Sequence, residues 1–250
     1  MTTSSSIKTA TVEIQSQDIR IPAYLAHPSS QGRYPMVVVI QEIFGVNAHI
    51  RDVTERIAAE GYIAIAPHIY HRQVQGFEVG YSATDLEIGR QYKAGTQADE
   101  LLSDIRGAIQ YVRNQFEDIP IKVGCIGFCF GGHVVYLAAT LPDVAATASF
   151  YGAGIASSTP GGGPPTLTQT PQISGTVYAF FGEQDPLIPL SDVDAIAAAL
   201  KNASVDHRIF RYASVGHGFF CDQRDSYNES AAQDAWKQVK DLFTTKLGIV

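Results

Sequence analysis

Residues 127–132 read Gly127-Phe128-Cys129-Phe130-Gly131-Gly132, and this stretch decides the fold. One glycine stands two places before a cysteine and another two places after it. Upstream, residues 121–126 form an apolar run of the kind that suits a strand covered on both faces. Downstream, residues 130–140 read as an apolar helix. Strand, tight turn and helix make the setting of a G-x-nucleophile-x-G elbow. The turn is so sharp that the residues two before and two after the nucleophile must be very small. The nucleophile sits at the tip in a strained backbone conformation, above the edge of the sheet. The helix that follows aims its N-terminus at the same point, which favours negative charge there and stabilises a thiolate. Cys125, four residues earlier and inside the strand, reads as a packed core thiol. Cys125 and Cys129 do not have Cys-x-x-Cys spacing and no second pair follows, so no metal site and no cofactor are expected.

Working outward, residues 9–14 and 21–26 read as two strands at the sheet edge, and residues 35–40, 62–66, 146–151 and 176–181 as buried strands. Residues 207–212 read as a further strand. Helices are expected over residues 51–60, 100–115, 192–201 and 229–247. Strands alternating with helices predict an α/β fold: a mostly parallel central sheet flanked by helices on both faces. With no internal repeat and no linker, residues 1–250 are expected to form one domain. Residues 154–175 are rich in Gly and Pro and read as a surface loop, either a passive insertion or a lid.

The composition fits this reading. Apolar residues make up 45% of the 250 and charged residues 17%, enough for a sizeable core and too little charge for a disordered chain. The net charge is −7 and no Lys/Arg cluster appears, so no nucleic-acid partner is expected. No apolar run is long enough to span a bilayer, so no membrane association is expected. The polar start of the chain carries no apolar core with a cleavage site, and three cysteines cannot build a disulfide framework. A cytoplasmic protein, monomeric or a small homo-oligomer, is the expectation.

A thiol nucleophile needs a base, and the base needs a group that holds its tautomer. In an elbow fold these follow the nucleophile in the order acid, then histidine, on loops after later strands. Asp185 lies in Gly182-Glu183-Gln184-Asp185-Pro186, just after an apolar strand. His217 lies in Gly216-His217-Gly218-Phe219, after the strand at 207–212, and its flanking glycines let the loop turn back over the sheet. Glu183 is the rival acid. His133 and His207 read as structural or surface residues, while His68 and His71 follow a strand and could line a pocket.

Five segments together carry a family resemblance: Gln41-Glu42-Ile43-Phe44-Gly45-Val46-Asn47, Ala66-Pro67-His68-Ile69-Tyr70, the elbow, Gly182-Glu183-Gln184-Asp185 and Gly216-His217-Gly218-Phe219. In order and spacing, the chain resembles the dienelactone hydrolases of the α/β-hydrolase superfamily. The resemblance implies hydrolysis of a lactone or carboxylic ester, typically 4-carboxymethylenebut-2-en-4-olide, through a thioacyl-enzyme. It implies that Cys129 attacks, that His217 and Asp185 support it, and that Glu42 contacts the resting thiol. It places the oxyanion hole at the backbone N–H groups of Ile43 and Phe130. Two departures concern the substrate. Cys221 stands where the family carries an arginine after the histidine, with Arg224 the nearest. The family's upstream arginine has no match, with Arg90 close to the expected place. Arg90, Tyr151 and Cys221 are therefore the expected substrate contacts. A hydrolase for small neutral esters or thioesters is the alternative reading, and a catalytically silent binding protein on the same fold is the alternative from another class.

Overall fold

A computed structural model describes residues 6–116 and 118–248. The first five residues of the polar chain start lie outside them. Among the described residues, eight strands form one sheet in the order β1-β2-β4-β3-β5-β6-β7-β8. They are β1 (Ile7–Ser16), β2 (Ile19–Pro28), β3 (Met36–Ile40), β4 (Ile63–Pro67), β5 (Val123–Phe128), β6 (Val144–Phe150), β7 (Thr176–Gly182) and β8 (His207–Tyr212). β1 and β2 form an antiparallel hairpin, β2 runs antiparallel to β4, and all remaining pairs are parallel. This is the α/β-hydrolase arrangement expected from the alternation of strands and helices.

The continuous apolar runs of β3, β4 and β5 follow from burial on both faces. Because side chains alternate along a strand, Val37 and Val39 enter one core while Met36, Val38 and Ile40 enter the other. Helices α1 (Ala48–Ala59) and α6 (Glu229–Leu247) cover the first face through Ile50, Val53, Ile57, Val239 and Leu242. Helices α3 (Ala98–Gln115) and α4 (Phe130–Ala138) cover the second through Leu101, Ile105, Val112 and Val134. Each such side chain, fully buried, contributes roughly 1.5–3 kcal/mol of transfer free energy. Helix α5 (Leu190–Asn202) packs beside β8.

Three expectations need correction. The third buried strand starts at Val123, because Ile121 is 75% exposed and follows Pro120, which has no N–H to give a ladder. Helix α2 (Ala83–Ala94) was not expected. It buries only Gly89, so it lacks an apolar stripe, and it is held at its start by a capping box between Ser82 and Asp85. Residues 154–175 are not simply a surface loop: they contain a 3-10 helix (Thr166–Gln172) with Thr166 and Thr170 buried, and Ile155 enters the core. Among the described residues, no helix is long and apolar enough to cross a membrane.

Candidate active site

Parallel strands present their carboxyl ends on one side of a sheet, and ligands bind there in open α/β folds. Glu42 follows β3, Cys129 follows β5, Tyr151 follows β6, Asp185 follows β7 and His217 follows β8. The sequence-predicted residues therefore meet at one edge.

Cys129 has φ 55° and ψ −115°, a strained conformation for a residue with a Cβ. Its N–H donates to Phe150 O at 3.0 Å, which ties the strained residue to β6. The glycines around it are required by close approach. A Cβ on Gly127 would overlap the Gly131 carbonyl, one on Gly131 the carbonyls of Ile40 and Gln41, and one on Gly132 the Phe150 carbonyl. Phe130 is the first residue of α4, so its N–H has no intrahelical acceptor and is available at the elbow. Ile43 follows Glu42, and buried Gly89 packs α2 against the Ile43 peptide.

His217 Nδ1 and Asp185 Oδ2 are 2.7 Å apart, with the Asp185 side chain buried and that of His217 nearly so. Asp185 Oδ1 accepts from Leu187 N at 2.8 Å, so both carboxylate oxygens are engaged. His217 Nε2 is buried without a hydrogen-bond partner. Burial pulls the imidazole pKa down, but the neighbouring Cys129 sulphur and the hydrogen bond to Asp185 outweigh it and raise it to about 10. Tyr151, with φ 36°, closes over this pair, its ring 5.0 Å from that of His217 and roughly edge-on. The glycines flanking His217 differ in kind. Gly218 has φ 80°, a left-handed conformation. Gly216 is not left-handed, and a Cβ there would meet nothing closer than Gln184 O at 3.9 Å.

Arg224 brings a guanidinium beside Glu42. Its Nη1 donates to Glu42 Oε1 at 3.0 Å, and its guanidinium lies over the rings of Phe44 and Tyr81. Burial opposes the charge of Arg224, and the Glu42 carboxylate more than restores it. Glu42 is 1% exposed, and its Oε2 has no partner. Cys221 is buried and donates its S–H to Tyr81 Oη at 3.2 Å. Burial and then the charge of Glu42 push its thiol up to about 11. Nothing periodic in the sequence signals the Arg224–Glu42 pair, which spans 182 positions.

A cavity of about 560 Å³ opens beside the elbow, reaching it at Phe130. Arg90, Lys93, His133 and Thr159 are among its walls. Thus Arg90 faces this space, and Lys93 Nζ lies 5.5 Å from the Phe130 ring centre. His133 is buried, and its Nε2 is 2.7 Å from Thr166 Oγ1, which fastens the 154–175 segment to α4. Burial, reinforced by the charge of Lys93, lowers its pKa to about 4. Among the rival residues, His68 is half-buried, and burial lowers its pKa.

The dienelactone hydrolase family model matches residues 21–247. A Synechocystis protein provisionally named carboxymethylenebutenolidase is 56% identical over 241 residues, covering 96% of this chain and 98% of its own. One of the same provisional name from Yersinia pestis is 34% identical over 233 residues, covering 92% and 86%. A Klebsiella pneumoniae structure, provisionally described as a dienelactone hydrolase, superposes with a TM-score of 0.86 at 30% identity, covering 96% of this chain and 99% of that one. A dienelactone hydrolase-like promiscuous phosphotriesterase from metagenomic libraries shares the fold, with a TM-score of 0.80 at 23% identity, covering 97% and 99%. A strained elbow, a complete set of parallel-strand loops above it and these relatives over nearly the whole length lead to one conclusion: this chain is a hydrolase and belongs to the dienelactone hydrolase family.

Proposed function

We propose that the protein hydrolyses a lactone or carboxylic ester that carries an anionic group, using Cys129 as nucleophile. The observation that carries this reading is the His217–Asp185 pair, whose Nε2 is left without a partner at the same sheet edge as a cysteine on a strained elbow tip. Cys129 Sγ, as thiolate, attacks the carbonyl carbon and the C–O bond breaks, giving a thioacyl-enzyme and an alkoxide or enolate. His217, held in one tautomer by Asp185, gives its proton to that leaving oxygen and then takes one from the water that cleaves the thioester. The N–H groups of Ile43 and Phe130 stabilise the oxyanion, a contribution often worth about 3–4 kcal/mol per donor.

Glu42 sets the entry condition. While Arg224 holds Oε1, Oε2 stays unpaired in a buried site, an arrangement that is costly to maintain. A substrate carboxylate that competes for Arg224 releases Glu42 to accept the proton of a resting Cys129 thiol. Arg90 and Lys93 line the approach with positive charge. We place the protein in the cytoplasm, since Cys125, Cys129 and Cys221 are all free thiols, and read the whole chain as one domain acting on a small molecule.

The test compares kcat/KM for 4-carboxymethylenebut-2-en-4-olide with that for p-nitrophenyl acetate. The anionic lactone should be preferred, and Arg224→Met should remove the preference chiefly through KM. Preference for the neutral ester would overturn the anionic reading, and turnover of neither by protein with an alkylatable Cys129 would favour a silent binding protein.

A further inference from the structure

Glu42, His49 and Cys221 come from the loop after β3, the first turn of α1 and the loop after β8. A carboxylate oxygen, an imidazole nitrogen and a sulphur, one from each, lie within 4.8 Å of one another. All three residues are buried, with His49 and Cys221 at 0% exposure. Both ring nitrogens of His49 lack a hydrogen-bond partner, as does Glu42 Oε2. A buried unpaired polar atom costs about 1–3 kcal/mol, so three in one place point to a missing ligand. The rings of Phe128 and Phe220 stand roughly edge-on to His49 at 5.8 and 6.3 Å. An aromatic face can satisfy the one N–H of a neutral imidazole weakly, but not the lone pair of its other nitrogen.

We propose that Glu42, His49 and Cys221 form a binding site for a zinc-class divalent ion, whose binding withdraws Glu42 from the Cys129 centre and slows hydrolysis. Mixed oxygen, nitrogen and sulphur donors select such an ion over calcium or magnesium, which take oxygen ligands. Zinc bonds of about 2.0–2.3 Å put tetrahedral donors roughly 3.3–3.8 Å apart, so the three groups close inward by about 1 Å or a little more. Their supports are in place: Arg224 on Glu42 Oε1, Tyr81 Oη on Cys221 Sγ, and Asn47 Nδ2 donating to Tyr81 Oη at 3.2 Å. On binding, the S–H proton leaves to solvent and the metal–sulphur bond replaces it. The Arg224 charge opposes the cation and keeps affinity moderate. The binding claim is independent of the proposed hydrolysis, and only the slowing rests on that reading.

Metal-free protein is titrated with Co²⁺, read by the thiolate-to-metal charge-transfer absorbance, and with Zn²⁺ by equilibrium dialysis. One equivalent should bind, with the absorbance lost in Cys221→Ser and kept in Cys129→Ser. His49→Phe should bind at least about tenfold more weakly, which keeps the test open if Cys221→Ser fails to fold by circular dichroism. Absence of stoichiometric binding, or absorbance lost in Cys129→Ser but kept in Cys221→Ser, overturns the site. Zn²⁺ should inhibit wild-type hydrolysis reversibly. Equal inhibition of folded Cys221→Ser overturns the regulatory half, while stoichiometric binding by protein without hydrolytic activity upholds the site and counts against the hydrolase reading.

Discussion

Gly131→Ala tests whether the elbow is built on backbone contact. The new Cβ would fall on the carbonyl oxygens of both Ile40 and Gln41, well inside the roughly 3.3–3.6 Å at which carbon meets oxygen. Both obstacles are main chain, so no side chain can swing aside. Either α4 lifts from the sheet or the end of β3 moves, by close to 1 Å. Overpacking costs about 1–3 kcal/mol per site, and two rigid obstacles put the expectation near 4 kcal/mol. For a chain of this size that lowers Tm by about 8–16 °C. The movement also separates Ile43, in the loop after β3, from Phe130, at the start of α4, and misplacement of about 1 Å costs roughly 10²-fold in rate. The assay pairs a thermal melt with kcat/KM on one ester. Gly216→Ala is the control, where the nearest atom is 3.9 Å away and stability should hold within about 0.5 kcal/mol. A Gly131→Ala protein as stable and as active as wild type would show that the elbow does not depend on these backbone contacts.

Three further outcomes follow. Asp185→Asn keeps the shape of the site but loses control of the His217 tautomer, so kcat should fall by roughly 10³–10⁴ in steady-state assays while the fold, by circular dichroism, is unchanged. Arg224→Met strands the buried Glu42 carboxylate and should cost about 3–5 kcal/mol in urea unfolding, most of it recovered in the Glu42→Gln/Arg224→Met double variant; equal loss in both would show that the pair is not coupled. His217 is protonated more readily in the folded chain, with its pKa raised from 6.5 to about 10, so its contribution to stability is complete below pH 6.5 and is lost as pH rises to about 10. Unfolding measured across that window should show a downward slope that is weaker in His217→Asn.

The parts of the site legible in the sequence were those with local signatures. Two flanking glycines and an apolar strand mark Cys129, and a strand followed by a short polar loop marks Asp185 and His217. The sheet was legible because β3, β4 and β5, covered on both faces, cannot hide their continuous apolar runs. Helix α2 was not, since Gly89 alone is buried and no stripe forms, although the spacing of Ser82 and Asp85 announces its start. The pairing of Arg224 with Glu42 and the convergence of His49 on Cys221 were also beyond reach. Each depends on where irregular loops return in space, and a loop path has no period to read.

In the proposed reaction Cys129 carries the acyl group. Rapid acid quench of wild-type protein turning over an ester, followed by peptide mass spectrometry, tests it most directly. An added acyl mass is expected on the peptide containing Cys129, lost on treatment with hydroxylamine and absent from Cys129→Ala, which should show no turnover. Turnover by Cys129→Ala, or an acyl mass on any other residue, would contradict it.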